Sequence, residues 1–217
     1  MMTFRAVIFD LDGTLLDTLQ DLAVCTNRAL VKLGFSAHAI SDYRYFVGAG
    51  RDVLASRALP EAHRDAATVK DLLTRIDADY RQHWADHTRP YPGILELLDA
   101  LTERGVRLAV LSNKAQEFTD LNVSNLLSRW HFDAVVGASA ATPRKPDPTL
   151  ALQIARQLKA KPAEFIYLGD SDIDMKTAVA AGMFPVGAGW GFRTASELQE
   201  NGARAVIERP LDLLKLL

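Results

Sequence analysis

The sequence predicts an α/β fold, a Rossmann-like parallel sheet flanked by helices, with an α-helical cap domain inserted near its start. Three observations carry this. Short apolar runs alternate with amphipathic helical patterns over most of the chain. The stretch from about Thr18 to about Thr88 breaks that alternation with helical patterns alone. The first apolar run ends directly in an acidic turn, "FDLDGTLLDT" at residues 9 to 18, which places carboxylates at a strand's C-terminal end.

Taken in order, the strand candidates are "FRAVIF" (4 to 9), "VRLAVL" (106 to 111), "FDAVVG" (132 to 137), "EFIYLGD" (164 to 170) and "MFPVGAG" (183 to 189). Each is short and rich in Val, Ile, Phe or Leu, as a strand buried on both faces requires. Helices are expected between them at "GILELLDALTERG", "AQEFTDLNVSNLLSRW", "PTLALQIARQLKA" and "DMKTAVAAG". Gly105 and Gly182 suit left-handed C-cap positions at two of their ends. Right-handed crossovers then put every strand C-terminus on one edge, the edge where ligands bind.

The inserted segment holds "TLQDLAVCTNRALVKLG" and "AATVKDLLTRIDADYRQHWADH", both with apolar residues at three and four spacing. Pro90, Pro92 and Gly93 mark the return to the main domain. The expected division is a discontinuous core of residues 1–16 and 89–217 and a cap of residues 17–88. Tyr80 and Trp84 read as cap core, and Asp17 and Thr18 as the opening of the first cap helix, where an acid favours the dipole. The five histidines show no ligand spacing and read as surface or packing residues.

Composition narrows the function. With 48% hydrophobic and 24% charged residues, 217 residues can bury a sizeable core. A net charge of -2 lacks the basic footprint of nucleic-acid binding. The single cysteine, Cys25, can form no internal disulfide and reads as core filler. No stretch approaches a membrane span or a signal peptide. The expectation is a cytoplasmic enzyme or binding protein acting on a small ligand, with no nucleic-acid or membrane partner.

Four clusters fall at strand ends. Asp10 and Asp12 follow the first run, and two carboxylates so close repel unless a proton or a cation lies between them. A hard divalent cation, most simply Mg2+, resolves the conflict; turn capping is the plainer alternative. Ser112 and Asn113 in "VLSNK" offer a hydroxyl and an amide to an anion's oxygens, or ordinary turn chemistry. Lys145 in "TPRKPDP" lies in a stiff loop that would fix a cation near the carboxylates. "YLGDSDID" adds Asp170, Asp172 and Asp174, with helix capping by Ser171 or Asp172 as the plainer reading. The plain readings together need four coincidences on one edge.

In order, "DLDGT", "SN", "RKP" with Lys145, and "GDSDID" resemble the motifs of the haloacid dehalogenase-like (HAD) hydrolases, a superfamily dominated by Mg2+-dependent phosphatases. The helical insert resembles that family's small cap. Through "DLDGTLLDT", "YFVGAGRDVL" and "RKPDP" the chain looks most like the phosphoglycolate phosphatases within it. The resemblance implies Asp10 as the nucleophile that forms an aspartyl-phosphate, and Asp12 as the general acid and base. It implies Mg2+ on the Asp10 carboxylate, the Asp12 backbone carbonyl and Asp170. Ser112, Lys145 and backbone amides around Leu11 and Asn113 would hold the phosphoryl oxygens, and Asp174 would orient Lys145 or a metal-bound water. Asp172 matches no required position.

The cap then selects the substrate. Gly48, Gly50 and Arg51 in "VGAGRDVL" offer helix-start amides and a guanidinium to a second anionic group; a turn with a surface arginine is the alternative. The expected activity is hydrolysis of a small phosphorylated metabolite, most of all 2-phosphoglycolate, by a monomer or homodimer. A sugar-phosphate phosphatase, a pyrophosphatase or a β-phosphoglucomutase-like phosphotransferase would use the same core. A dehalogenase would lack the second aspartate, and a noncatalytic binding or regulatory protein would have lost Asp10, Asp12 or Lys145.

Overall fold

A computed structural model describes residues 4–217. From the first strand, β1 (Ala6–Phe9), the chain leaves through β2 (Leu16–Asp17) into helices α1 (Leu19–Lys32), α2 (Tyr43–Phe46), α3 (Arg51–Ala58) and α4 (Ala66–His83). It returns through β3 (Arg89–Pro90), which pairs with β2. There follow α5 (Ile94–Glu103), β4 (Arg107–Ala115), α6 (Gln116–Leu126), β5 (Ala134–Ala138), α7 (Thr149–Gln157), β6 (Phe165–Gly169), α8 (Asp172–Ala181), β7 (Phe184–Ala188), α9 (Ala195–Glu200) and β8 (Ala205–Ile207). The chain divides into two compact units, residues 1–16 with 90–217 and residues 17–89.

The larger unit is a six-stranded parallel sheet in the order β5-β4-β1-β6-β7-β8. The order runs outward on one side of β1 and then restarts on the other, so the connections diverge beside β1. A crevice opens at such a switch point, at the carboxyl ends of the strands. All four β1 residues are fully buried because both sheet faces are covered. Val7 and Phe9 join Val110, Ile166 and Leu168 against α5, through Ile94, Leu97, Leu98 and Leu101. Ala6 and Ile8 face the other way, joining Leu111, Phe165 and Tyr167 against Leu150, Ala151 and Ile154 of α7 and Ala178 of α8. Each fully buried Ile, Leu or Phe contributes about 1.5–3 kcal/mol.

The expected strands are present, with differences that have local causes. β4 runs on through Ser112, Asn113 and Lys114, its register to β5 shifting between Leu111 and Ala115. The helix expected from Asp174 starts two residues earlier because Ser171 caps it, its Oγ accepting from the Asp174 amide at 3.3 Å. Gly182 takes the left-handed C-cap (φ 69°). β8 and α9 were not among the sequence expectations: β8 presents only three apolar residues, too few for a periodic signal.

The smaller unit packs Leu30 and Ala29 of α1, Ala55 and Ala58 of α3, and Leu72 and Ile76 of α4 into one apolar cluster. Asp65 caps α4, accepting from the Ala67 and Thr68 amides at 3.0 Å. Thr18 stands at the N-cap of α1 without a side-chain capping bond, and Asp17 lies in β2, held extended before the helix begins. Asp21, in the first turn, is the acid that sits near the α1 dipole. Cys25 and Tyr80 are buried, as expected of core residues. No helix among the described residues is long and apolar enough to cross a membrane.

Candidate active site

The register of the sheet assembles the site. Phe9 of β1 stands opposite Leu168 of β6, and the Asp10 amide donates to the Leu168 carbonyl at 2.9 Å. Asp10 and Asp170 therefore leave the sheet side by side. The turn after Asp10 wraps around the Leu11 carbonyl, which accepts from the amides of Leu15 at 3.1 Å and Leu16 at 3.0 Å. Gly13 lies in that turn at φ 87°, and a Cβ there would collide with the Asp170 carboxylate, so glycine is required for close approach.

Lys145 ties the cluster together. Its Nζ donates to Asp10 Oδ1 at 2.8 Å and to Asp174 Oδ1 at 2.6 Å, with its side chain only 3% exposed. Its backbone is pinned by Asn113, whose side-chain amide donates to the Lys145 carbonyl at 3.0 Å and whose Oδ1 accepts from the Lys145 amide at 2.9 Å. That amide group is thus engaged with the lysine's own loop. The second oxygen of Asp174 accepts from the Ser171 amide at 3.1 Å and hydroxyl at 2.6 Å. Asp174, fully buried, has both oxygens committed, which suits a buttress for Lys145.

Carboxylate oxygens of Asp10, Asp170 and Asp174 lie within 4.8 Å of one another, all three buried. Burial pushes the Asp10 carboxyl up to about 7, with the Asp174 charge adding and Lys145 opposing. Burial, then the charges of Asp10 and Asp174, push Asp170 well above the usual carboxylate range, against the Phe192 amide. Burial also works against the Lys145 ammonium, but Asp10 and Asp174 more than reverse it and hold it charged. One buried ammonium thus pairs with two of three mutually close carboxylates, Asp10 and Asp174. An all-oxygen donor set with surplus negative charge fits a hard divalent cation.

Two contributors were not singled out in the sequence. Lys114, next to the "SN" pair, donates from Nζ to Asp12 Oδ1 at 3.0 Å, and its side chain is 6% exposed. Its adjacency to Asn113 was the available signal. The second is the loop after β7, "GWGFR". The Phe192 amide donates to Asp170 Oδ2 at 2.7 Å, and the Trp190 indole donates to the Thr14 carbonyl at 3.0 Å. Gly191 permits this, since a Cβ would strike Asp170 and the Gly13 carbonyl. Two glycines flanking a tryptophan just beyond a strand were the visible sign.

The remaining candidates lie as follows. Ser112 is buried, its Oγ accepting from the Lys114 amide at 3.2 Å. Asp172 pairs with Lys176 at 2.8 Å on the exposed face of α8. Gly48 (φ 107°) and Gly50 (φ 104°) precede α3 in the helical unit, Gly50 as its N-cap. Arg51 there bonds Asp77 of α4 at 2.5 Å, so its guanidinium charge is already compensated.

Residues 7–188 match the family model described as haloacid dehalogenase-like hydrolase. The chain belongs to that family. Among HAD relatives, a phosphoglycolate phosphatase from Nitrosospira multiformis is 33% identical over 222 residues, covering 100% of this chain and 96% of its own. One from Aquifex aeolicus is 30% identical over 213 residues, covering 98% and 96%. The crystal structure of a candidate phosphoglycolate phosphatase from Lactobacillus delbrueckii subsp. bulgaricus superposes with a TM-score of 0.92 at 32% identity, over 99% of this chain and 98% of that one.

Proposed function

We propose that this HAD hydrolase is a Mg2+-dependent phosphatase that hydrolyses a small phosphomonoester through an aspartyl-phosphate, with 2-phosphoglycolate as its preferred substrate. The observation that carries the reading is the buried array of Asp10, Lys145, Asp170 and Asp174 at the switch point of the sheet. The likeness to phosphoglycolate phosphatases along the whole chain supports the substrate.

Asp10 attacks phosphorus, an O–P bond forms to its carboxylate, and the ester P–O bond breaks. Asp12 gives the departing alkoxide its proton. A water then attacks the phosphoaspartate, Asp12 takes the water's proton, and phosphate leaves with Asp10 restored. Lys145, Ser112 and backbone amides around Leu11 and Asn113 hold the phosphoryl oxygens through both steps. Asp10, Asp170 and the Asp12 carbonyl are the residues that would hold Mg2+; when bound, it neutralises carboxylate charge and polarises the phosphoryl group. Gly48, Gly50 and Arg51 are the candidates for the substrate's second anion, Arg51 through the guanidinium donors that Asp77 does not occupy.

The test is phosphate release with and without Mg2+ over a series of 2-phosphoglycolate, hexose phosphates and pyrophosphate. The expected result is activity that disappears with chelator and a kcat/KM for 2-phosphoglycolate at least about tenfold above the others. Undiminished activity in excess chelator would overturn the metal dependence. A preference for hexose phosphates, or their isomerisation without phosphate release, would overturn the substrate assignment.

A further inference from the structure

We infer that Lys114 is a positioning residue for the acid–base carboxylate of Asp12. The inference rests on the phosphatase reading above and adds a residue to it. Asp12 sits on a turn, and its short side chain has two free torsions. Nothing in the turn itself fixes where its oxygens point. Its side-chain partner is Lys114, whose Nζ stands 3.0 Å from Oδ1 and 3.4 Å from Oδ2. Both side chains are largely buried, at 6% and 11% exposure. A cation within reach of both oxygens sets the carboxylate's orientation as well as its position.

The lysine's own backbone is well anchored. Its amide donates to Ser112 Oγ at 3.2 Å, and its carbonyl accepts from Thr119 Oγ1 at 3.2 Å. The register shift between Leu111 and Ala115 turns this part of β4 out of the regular ladder, and such an irregularity re-aims side chains beside a site. Each of these three carboxylates then has its own fixed donor: Lys145 for Asp10, the Phe192 amide for Asp170, and Lys114 for Asp12. A proton donor is effective only when held within hydrogen-bond reach of the leaving oxygen.

The chemistry offers a readout that general loss of structure does not move. An alkoxide leaving group needs the proton from Asp12, whereas p-nitrophenolate departs nearly unaided. The experiment measures kcat/KM for 2-phosphoglycolate and p-nitrophenyl phosphate in the wild type, Lys114→Met, Lys114→Arg and Asp12→Asn, with Lys114→Gln as a smaller neutral replacement should the methionine variant fail to fold. The expected result is a loss of at least about tenfold on the alkyl ester but under roughly threefold on the aryl ester in the neutral variant, with partial rescue by arginine. Adding Lys114→Met to Asp12→Asn should cost little further activity, since both act through one group. Equal losses on both esters, or losses that multiply in the double variant, would overturn the positioning role while leaving the phosphatase reading intact. A wild type that releases phosphate from neither ester would overturn both.

Discussion

In the sheet unit the charges that matter are buried and face one another: Asp10, Lys145, Asp170 and Asp174 are each at most 6% exposed and cluster at the end of β1 and β6. In the helical unit the ion pairs lie outside an apolar interior. Arg75 with Asp71 and Arg28 with Asp79 sit at the surface, while Leu30, Leu72 and Ile76 fill the centre. Asp21 is the exception. It is 2% exposed and accepts from the His87 amide and ring, the Thr88 amide at 2.7 Å and the Thr88 hydroxyl at 2.8 Å, joining the two ends of the helical unit. Its oxygens are satisfied by backbone, hydroxyl and ring donors within one unit, so its hydrogen-bonding capacity is already used. Burial alone does not mark a reacting group; burial with uncompensated like charges does.

The largest effect that would break this contrast is in the sheet unit. Asp10→Asn, nearly isosteric and still able to accept from Lys145, should reduce turnover on the order of 10^4-fold or more. Its circular dichroism and melting temperature should stay close to wild type. Turnover within tenfold of wild type would remove Asp10 from the reaction.

Asp21→Ala should act on stability and leave chemistry alone. Removing an acceptor of several buried donors costs about 2–4 kcal/mol, read by chemical denaturation. Burial opposes the ionised Asp21, but hydrogen bonds from His87 and Thr88 hold its carboxyl below the usual range. Its contribution is therefore complete above the unfolded carboxyl value of about 3.9 and is lost as pH falls through the lower folded value. The gap between wild type and variant should narrow below about pH 4; a gap constant down to pH 2 would mean the charge is irrelevant.

The smallest effect is expected at the surface. Arg75→Gln breaks an i,i+4 pair whose side chains are 41% and 50% exposed. It should shift stability by less than about 0.5 kcal/mol, less still in high salt. A shift above 1 kcal/mol would show that surface charge in the helical unit does more than solvate it.

The same contrast explains what the sequence disclosed. Buried strands announce themselves as unbroken apolar runs, and an aspartate next to such a run has few ordinary uses. β1, β4, β5, β6 and β7 and the acids at Asp10 and Asp170 were legible for that reason. The bonds between Asn113 and Lys145 were not, because they join the end of β4 to a loop 32 residues away through the Lys145 backbone, which carries no side-chain code. Lys114 looked like any surface lysine, since only the turning of β4 aims it at Asp12. The pairing of Arg51 with Asp77 was hidden likewise: α3 and α4 are each recognisable, but the rotation of one against the other is set by packing.

The strand order has a consequence for biosynthesis. Ala6 of β1 pairs with Arg107 on one side and Phe165 on the other, so the strand that ends in Asp10 lies early in the sequence while both neighbours come far later. On the ribosome, β1 emerges with four apolar residues and no partner edge, and must wait for about half the chain before the β4 ladder can close and longer still for β6. The helices encoded in between can collapse locally, since Leu30 and Leu72 are near neighbours in sequence by comparison. The strand that carries Asp10 thus completes its pairing late, and a nascent chain stalled before β6 displays an open apolar edge to chaperones and proteases.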